Sequence, residues 1–585
     1  MTKTGYLLRG IACVAGLAWS SAALPQTPAG SAGEAAAAIG ANAEPESFSM
    51  APITAPVSNT DAQRANANAD PDNWRLYGRT YDNQRFSPLT GINAGNVGKL
   101  RPAAIIQTGV ANSFENTAIE IDGVLYIETA YDQVQAYDAV TGKEFWSYIP
   151  KLEYSDQCCG PQARGVAVGY GKVFAAQLDG HVVALDARTG KLLWKTDHAD
   201  ALPQPAHFYS FTMAPQLYDG MVLVGNAGAE WPTRGFMEAL DANTGKRMWR
   251  FNTTAAPGEP GGDGWAGDSW KYGGGSIWDT AAIDIKNGLI LFATGNTNPD
   301  LDGSTRAGDN AYTDSIVAIS AKTGKLVWYY QQVKHDVWDY DACAPVVLFD
   351  TLDETGKMVP AAAEAGKVGN VFIVNRLTGK LIHKSDPIVT IGANFMKPPT
   401  QTPADYMPGN KGGAMWSPPA FSPLTHYFYT MGVNEAHTFV VNPVKQVYVP
   451  NTPITGQYAG GTMATDLEKY SPNGTFSAVD TQTGKIAWQY KSPRPMYGGA
   501  LATASNLVFA GEMTGDFDAF DARTGRKLWH YTMGAGVCTP PITYRINGVQ
   551  YIAVGAGGCH GGEPLMKNDG RPGFGDVMAI FSLAG

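Results

Sequence analysis

Residues 137–146 read Tyr-Asp-Ala-Val-Thr-Gly-Lys-Glu-Phe-Trp, and this phrase decides the fold because it returns along the chain. Its other copies are LDARTGKLLW (185–194), LDANTGKRMW (240–249), ISAKTGKLVW (319–328), VNRLTGKLIH (374–383), VDTQTGKIAW (479–488) and FDARTGRKLW (520–529). Each copy has the parts of a β-hairpin. A run such as Gly180–Asp186 alternates apolar and polar residues, as a strand does. Thr189-Gly190 supplies the turn, with glycine free to take a positive φ. Leu192-Leu193-Trp194 opens the return strand, and its tryptophan wedges against a neighbouring sheet. A hairpin phrase repeated in this way specifies a ring of small sheets, an all-β propeller. Trp146, Trp194, Trp249, Trp328, Trp488 and Trp529 are therefore read as packing residues without a catalytic part.

Seven phrases imply eight blades. Asn73–Leu89 reads as an opening strand, and Asp576–Phe581 as a closing strand with no Thr-Gly-Lys turn after it. First and last strands sharing one blade would close the ring. The intervals from Trp249 to Trp328 and from His383 to Trp488 exceed one blade, so they hold insertions of the kind that carry function.

The chain has 585 residues, with 53 acidic against 43 basic side chains and a formal charge of −10. No basic stripe is present, which argues against nucleic acid. Lys3 and Arg9, the apolar run 11–19 and the small residues Ser21-Ala22-Ala23 resemble a secretory signal. The expected organisation is a signal peptide at 1–23, a disordered Ala- and Pro-rich lead at 24–72, and a catalytic propeller at 73–585, located in the periplasm. No apolar run beyond the N-terminus is long enough for a transmembrane helix.

Two motifs carry chemistry. Cys158-Cys159 are adjacent, and in an exported protein they pair with each other or with distant thiols. A bond between them is shorter in span than usual disulfides, hence rigid. Cys343, Cys538 and Cys559 are the remaining cysteines of the mature chain; one vicinal bridge leaves an odd thiol, and Cys538–Cys559 is the expected second bridge, although spacing does not dictate connectivity. The second motif is His335-Asp336-Val337-Trp338-Asp339-Tyr340-Asp341. In a strand, Asp339 and Asp341 face the same side, where two carboxylates repel unless a cation or a proton intervenes. With Glu230 and Asn296 they make a hard-oxygen set suited to Ca²⁺ or a similar ion.

From Asn73 onward the chain resembles the pyrroloquinoline quinone (PQQ)-dependent alcohol dehydrogenases, the group that includes methanol dehydrogenase. The resemblance rests on Cys158-Cys159 with Arg164, the Gly228-Ala229-Glu230 turn, Gly273–Trp278, Thr294-Gly295-Asn296 and the 335–341 motif. It implies a Cys158–Cys159 disulfide against one quinone face and Trp278 on the other. It implies cofactor contacts from Glu115, Arg164, Thr212, Gly228, Ala229, Ser276 and Lys367. It implies a metal held by Glu230, Asn296 and Asp339, with Asp339 as the base. Family members that use lanthanides resemble this chain in having an Asp at Asp341, whereas calcium-using methanol dehydrogenases have Ala; La³⁺ or Ce³⁺ is therefore expected ahead of Ca²⁺, with Asp341 as a fourth ligand.

Departures from methanol dehydrogenases fall at Tyr497 and near Cys559, where the family has pocket tryptophans, at Ser417 in place of an Asn, and at Lys367 in place of a guanidinium. They weaken any claim to methanol as substrate. No Cys-x-x-Cys-His occurs, so covalent haem is not expected and electrons would pass to a separate soluble cytochrome c. The expected activity is oxidation of a small alcohol or aldehyde, with a homodimer admitted. Two rivals stand beside it: a sugar or polyol dehydrogenase on the same scaffold, and a non-catalytic propeller of outer-membrane assembly. The second needs the repeats but not Cys158-Cys159 or the Glu230, Asn296 and Asp339 set.

Overall fold

The computed structural model describes residues 45–154, 159–196, 208–443, 461–465, 469–559 and 574–583. They form eight four-stranded antiparallel blades, each a meander from an inner to an outer strand. Blades 1 to 7 span 119–149, 167–195, 216–252, 282–331, 347–384, 420–492 and 500–532. Blade 8 joins 542–582 to Arg101–Gln107, which pairs antiparallel with Val577–Ser582. The ring closes by sharing one blade between chain ends, as the repeat count implies. The closing partner, however, is 101–107 and not the stretch at 73–89. That stretch contributes a bridge at Trp74 and the two-residue strand Phe86–Ser87, added parallel to the inner strand of blade 7. The long interval before Trp488 adds a small sheet of Ala404–Tyr406, His437–Val441 and Gly461–Thr465.

Each conserved letter of the phrase has a visible task. The aspartate caps its own turn: Asp186 Oδ1 accepts from the Arg188 N–H at 3.0 Å and from Thr189 Oγ1 at 2.9 Å. The glycine takes φ +70° at Gly190. One residue before the turn the outer strand pairing shifts register, at Ala184/Leu185 in blade 2 and at the equivalent place in blades 1 and 3 to 7. This is the bulge that a left-handed glycine imposes on a short hairpin loop.

The tryptophan docks on the next blade's glycine. A Cβ built on Gly190 would lie 2.4 Å from the Trp146 ring, and one on Gly245 2.9 Å from Trp194. The same holds for Gly324 on Trp249, Gly379 on Trp328 and Gly525 on Trp488. Trp146 Nε1 also donates to the Ala187 carbonyl of the next blade at 3.2 Å. Only glycine lets the indole approach so closely, so each Trp-Gly pair welds two blades.

The lead expected to be disordered is ordered over residues 45–72. Glu46–Ser49 adds a fifth strand to blade 1. Arg64 is buried, stacks over Tyr170 at 4.6 Å and donates to Tyr81 Oη. Polar composition hid this, because the strap is held by hydrogen bonds and one buried guanidinium, not by an apolar stripe. Residues 1–44, including the signal-like stretch, lie outside the described residues. No helix among those described is long and apolar enough to cross a membrane.

Candidate active site

An antiparallel meander sends its turns alternately to two ends. The Thr-Gly-Lys turns join third to fourth strands, so they share one end. Turns joining second to third strands, and links from each outer strand to the next inner strand, gather at the other end. The candidate residues come from this second set. Glu115, Arg164, Thr212, Trp278, Asp339, Trp416 and Tyr497 lie on links between blades; Glu230, Asn296 and Lys367 lie on second-to-third turns. They meet around a cleft of about 850 Å³, mouth included, walled by Cys159, Trp278, Asp339, Lys367, Trp416, Tyr497 and neighbours.

Arg164 is the cationic anchor of one wall. It is buried, pairs with Glu115 Oε2 at 3.1 Å, donates to Thr212 Oγ1 at 2.8 Å and to the Trp278 carbonyl at 3.3 Å. Its guanidinium also lies 5.0 Å from the Trp278 ring centre and 5.3 Å from that of Trp416. Two indoles on a desolvated cation fix its plane.

Lys367 anchors the floor. Its ammonium lies 2.8 Å from Asp339 Oδ1 and also pairs with Asp341 Oδ2. Asp341 Oδ1 accepts the backbone N–H of Asn296 at 2.9 Å. Burial works to lower the Lys367 pKa, but Asp339 and Asp341 outweigh it and hold it well above the usual lysine value. Burial pushes Asp339 well up, with Lys367 opposing and Asp341 and Asp300 adding to the rise. Asp341 goes the other way: burial is outweighed by Lys367 and by hydrogen bonds from Asp339, Lys367 and the Asn296 N–H. Burial and Asp341 raise Glu230. Taken together, carboxylates crowd the floor, with Lys367 paired directly to two of them.

The two aspartates converge for a reason other than the one expected. Segment 335–341 is not a strand. Asp339 has a left-handed backbone, φ 61°, which turns its side chain back towards Asp341 and Lys367. Glycine 295 makes room beside them: a Cβ there would come within 2.4 Å of Asp341 Oδ1, 2.6 Å of Ser276 Oγ and 3.3 Å of Trp278 Nε1.

The chain matches the family model for the glucose/ethanol/alcohol dehydrogenase β-propeller domain, which binds PQQ, over residues 74–389 and 388–552. It belongs to the PQQ-dependent alcohol dehydrogenases. It is 35% identical over 556 residues to quinohemoprotein alcohol dehydrogenase ADH IIB of Pseudomonas putida, covering 88% of this chain and 78% of that one. It is 31% identical to the quinoprotein ethanol dehydrogenase of Pseudomonas putida, covering 89% and 92%. Among solved structures it resembles a europium-containing methanol dehydrogenase, with TM-score 0.80, 29% identity, and coverage of 89% and 100%.

The residues of this quinoprotein fit a polar, polyanionic planar cofactor and a cation. Arg164 and Lys367 supply positive charge at two places on the cleft. Gln162 Oε1, Asn410 Oδ1 and Trp416 Nε1 line it, are buried, and have no hydrogen-bond partner among the described residues. Buried polar atoms are nearly always paired, so three orphans on one cleft point to a polar ligand. The hard-oxygen set of Glu230, Asn296, Asp339 and Asp341 suits a hard cation, although among the described residues no three acid, His or Cys side chains already close around one point. Lys367 stands between Asp339 and Asp341 instead.

The other expected residues sort as follows. Cys158 lies outside the described residues; Cys159 lines the cleft, is disulfide-bonded, and has its sulfur 3.5 Å from Glu230 Oε2. Gly228 and Ser276 are on the wall. Ala229 is buried with its carbonyl accepting from Asn298 Nδ2 at 3.1 Å, and Glu115 stands behind Arg164. Cys538–Cys559 is bridged and Cys343 is the free, buried thiol. Ser417 does not reach the cleft: its hydroxyl donates to the Tyr497 carbonyl at 2.8 Å. Trp231 stacks on Phe208 at 5.2 Å. Gln162, Asn298, Asp300, Asn410 and Lys411 were not singled out by sequence reading. They are polar residues in loops with no periodicity or motif to mark them; the only signal that could have found any of them is the turn-forming run Asn298-Pro299-Asp300.

Proposed function

We propose that this quinoprotein oxidises a small primary alcohol in the periplasm and passes the electrons to a separate soluble cytochrome c. The observation that carries the reading is Asp339, buried on the cleft floor and held by Lys367 between the Arg164–Trp278 wall and the hard-oxygen set. PQQ, when bound, supplies the hydride acceptor, and the metal supplies Lewis acidity beside it. Arg164, Lys367, Ser276 and Thr212 line the cleft and would bind and orient the cofactor's carboxylate and carbonyl oxygens. Trp278 would cover one face of it and Cys159, with Cys158 as its proposed bonding partner, the other. Asp339, paired with Lys367 through Oδ1, is the carboxylate placed to take the alcohol proton. Trp416, Tyr497 and Met415 exclude water from the substrate side. Tyr497 and Trp416, stacked at 5.1 Å, favour alcohols over polyols by their apolar faces.

The metal is proposed to be a lanthanide, held by Glu230, Asn296, Asp339 and Asp341. Three buried carboxylates, Asp300, Asp339 and Asp341, and the half-buried Glu230 surround the Lys367 ammonium, and a trivalent ion offsets that cluster better than a divalent one. Similarity to a europium-containing methanol dehydrogenase supports this choice. Metal-free protein reconstituted with PQQ should gain more alcohol oxidation, read with an artificial acceptor, from La³⁺ or Ce³⁺ than from Ca²⁺. Asp341→Ala should reduce that preference. Full activity with Ca²⁺ and none with lanthanides would overturn the metal assignment; no activity with any ion would overturn the enzyme reading.

A further inference from the structure

Apart from its charge, Asp300 is a carboxylate for which the reaction above has no task. It is fully buried on the second-to-third turn of blade 4, four residues after Asn296. Asn296 gives both hydrogen bonds of its amide nitrogen to this turn: Nδ2 donates to Asp300 Oδ1 at 2.9 Å and to the Thr297 carbonyl at 3.2 Å. An Asn side chain has two donors on one atom and its acceptor on the other. With the nitrogen tied on one side, Oδ1 is the atom left to face the carboxylates of the floor. Released, the amide can turn and offer hydrogens to a cation. The second oxygen of Asp300, Oδ2, is buried and has no hydrogen-bond partner among the described residues. Glu230, Lys367, Asp336 and Asp341 all act electrostatically on this carboxylate, so it sits among the groups of the floor. The same turn also steadies Glu230, because Asn298 Nδ2 donates to the Glu230 carbonyl at 3.1 Å.

We infer that Asp300 is a positioning residue for the cation: it locks the Asn296 amide so that Oδ1, and not the nitrogen, is presented to the ion. The inference rests on the proposed metal and PQQ site. Outer hydrogen-bond partners of metal ligands act in this way, fixing orientation without touching the ion.

The test is calorimetric titration of metal-free, PQQ-loaded protein with LaCl₃ and with CaCl₂. Asp300→Ala should weaken both ions by about 10–100-fold, the scale for losing such a partner. Asp300→Asn keeps an acceptor oxygen for Asn296 and should bind about tenfold more tightly than Asp300→Ala. Wild-type affinity in Asp300→Ala overturns the inference. Equal weakening in both variants does so too, since charge and not orientation would then be the cause. Should Asp300→Ala fail to fold, the double exchange Asn296→Asp with Asp300→Asn replaces it. That exchange conserves charge and hydrogen bond, and a carboxylate presents oxygen whichever way it turns. It should bind La³⁺ within about tenfold of wild type, and a larger loss overturns the inference. Wild-type protein that takes up neither ion overturns the metal reading and this inference with it, whereas bound ions with indifferent variants overturn the inference alone.

Discussion

Asp339 shows how much one backbone angle decides. Its φ of 61° brings its carboxylate onto Lys367 beside Asp341, where an extended chain would have needed strand alternation to do so. The sequence reading had the convergence of the two acids but not its cause, because a left-handed non-glycine residue leaves no pattern in composition. Asp339→Asn preserves size and the acceptor oxygen facing Lys367, so the fold should survive. Loss of the proposed base should lower kcat by about 10²-fold or more in fully loaded enzyme, measured alongside metal and PQQ content. Near-normal turnover in a loaded variant would remove Asp339 from the role. Asn298 and Asp300 mark the limit of reading residues singly: their value lies in which amides and carbonyls they hold, and that depends on turns from other blades.

At the scale of the element, the hairpin phrase was legible almost letter by letter. Asp caps, Gly turns and Trp docks, and each acts within about ten residues of its neighbours or on the next copy of itself. The docking is testable with a matched pair of glycines. Gly190 and Gly220 both have positive φ, +70° and +77°, but a Cβ on Gly190 meets the Trp146 ring whereas one on Gly220 meets nothing within 4 Å. Alanine at either position should cost about 1–2 kcal/mol for the left-handed backbone. Gly190→Ala should cost about 1–3 kcal/mol more, from forcing the indole out of its seat. Denaturant midpoints of the two variants measure the difference directly; equal losses would show that the Trp-Gly contact contributes nothing. The strap at 45–72 is the element that sequence reading lost. Its anchors, Arg64 on Tyr170 and Tyr81, are single polar contacts that no periodicity announces.

Across the whole molecule, closing a ring buries ionisable groups between blades, and this sets its response to pH. Glu120, on the inner strand of blade 1, is pushed by burial from 4.5 up to about 8. Its raised folded value means that the unfolded chain releases the proton first. The stability contributed by this group is therefore complete below about pH 4.5 and is lost as pH rises towards 8. Glu120→Gln, neutral at every pH, removes the effect. The Tm of the wild type minus that of the variant should fall steadily between pH 5 and pH 8 in metal-free protein. A difference independent of pH would mean that Glu120 is ionised in the fold.

The eight-bladed ring is determined by the sequence by itself, because a hairpin is a local object and a repeated hairpin with a docking tryptophan has one way to stack. The family followed from short motifs, and with it the expectation that Asp339, Lys367, Arg164 and Trp278 would share one cleft, which they do. What only the tertiary structure decided is how links as far apart as Arg164 and Tyr497 share one cleft and which polar atoms there are pinned. It also decided that the Ser417 hydroxyl is spent on the Tyr497 carbonyl and the Ala229 carbonyl on the Asn298 side chain, while Gln162, Asn410 and Trp416 keep atoms free for a ligand. The physical reason is range. A turn, a cap or a strand answers to residues a few positions away, whereas a side chain in a loop between blades answers to whatever the closed ring brings opposite it.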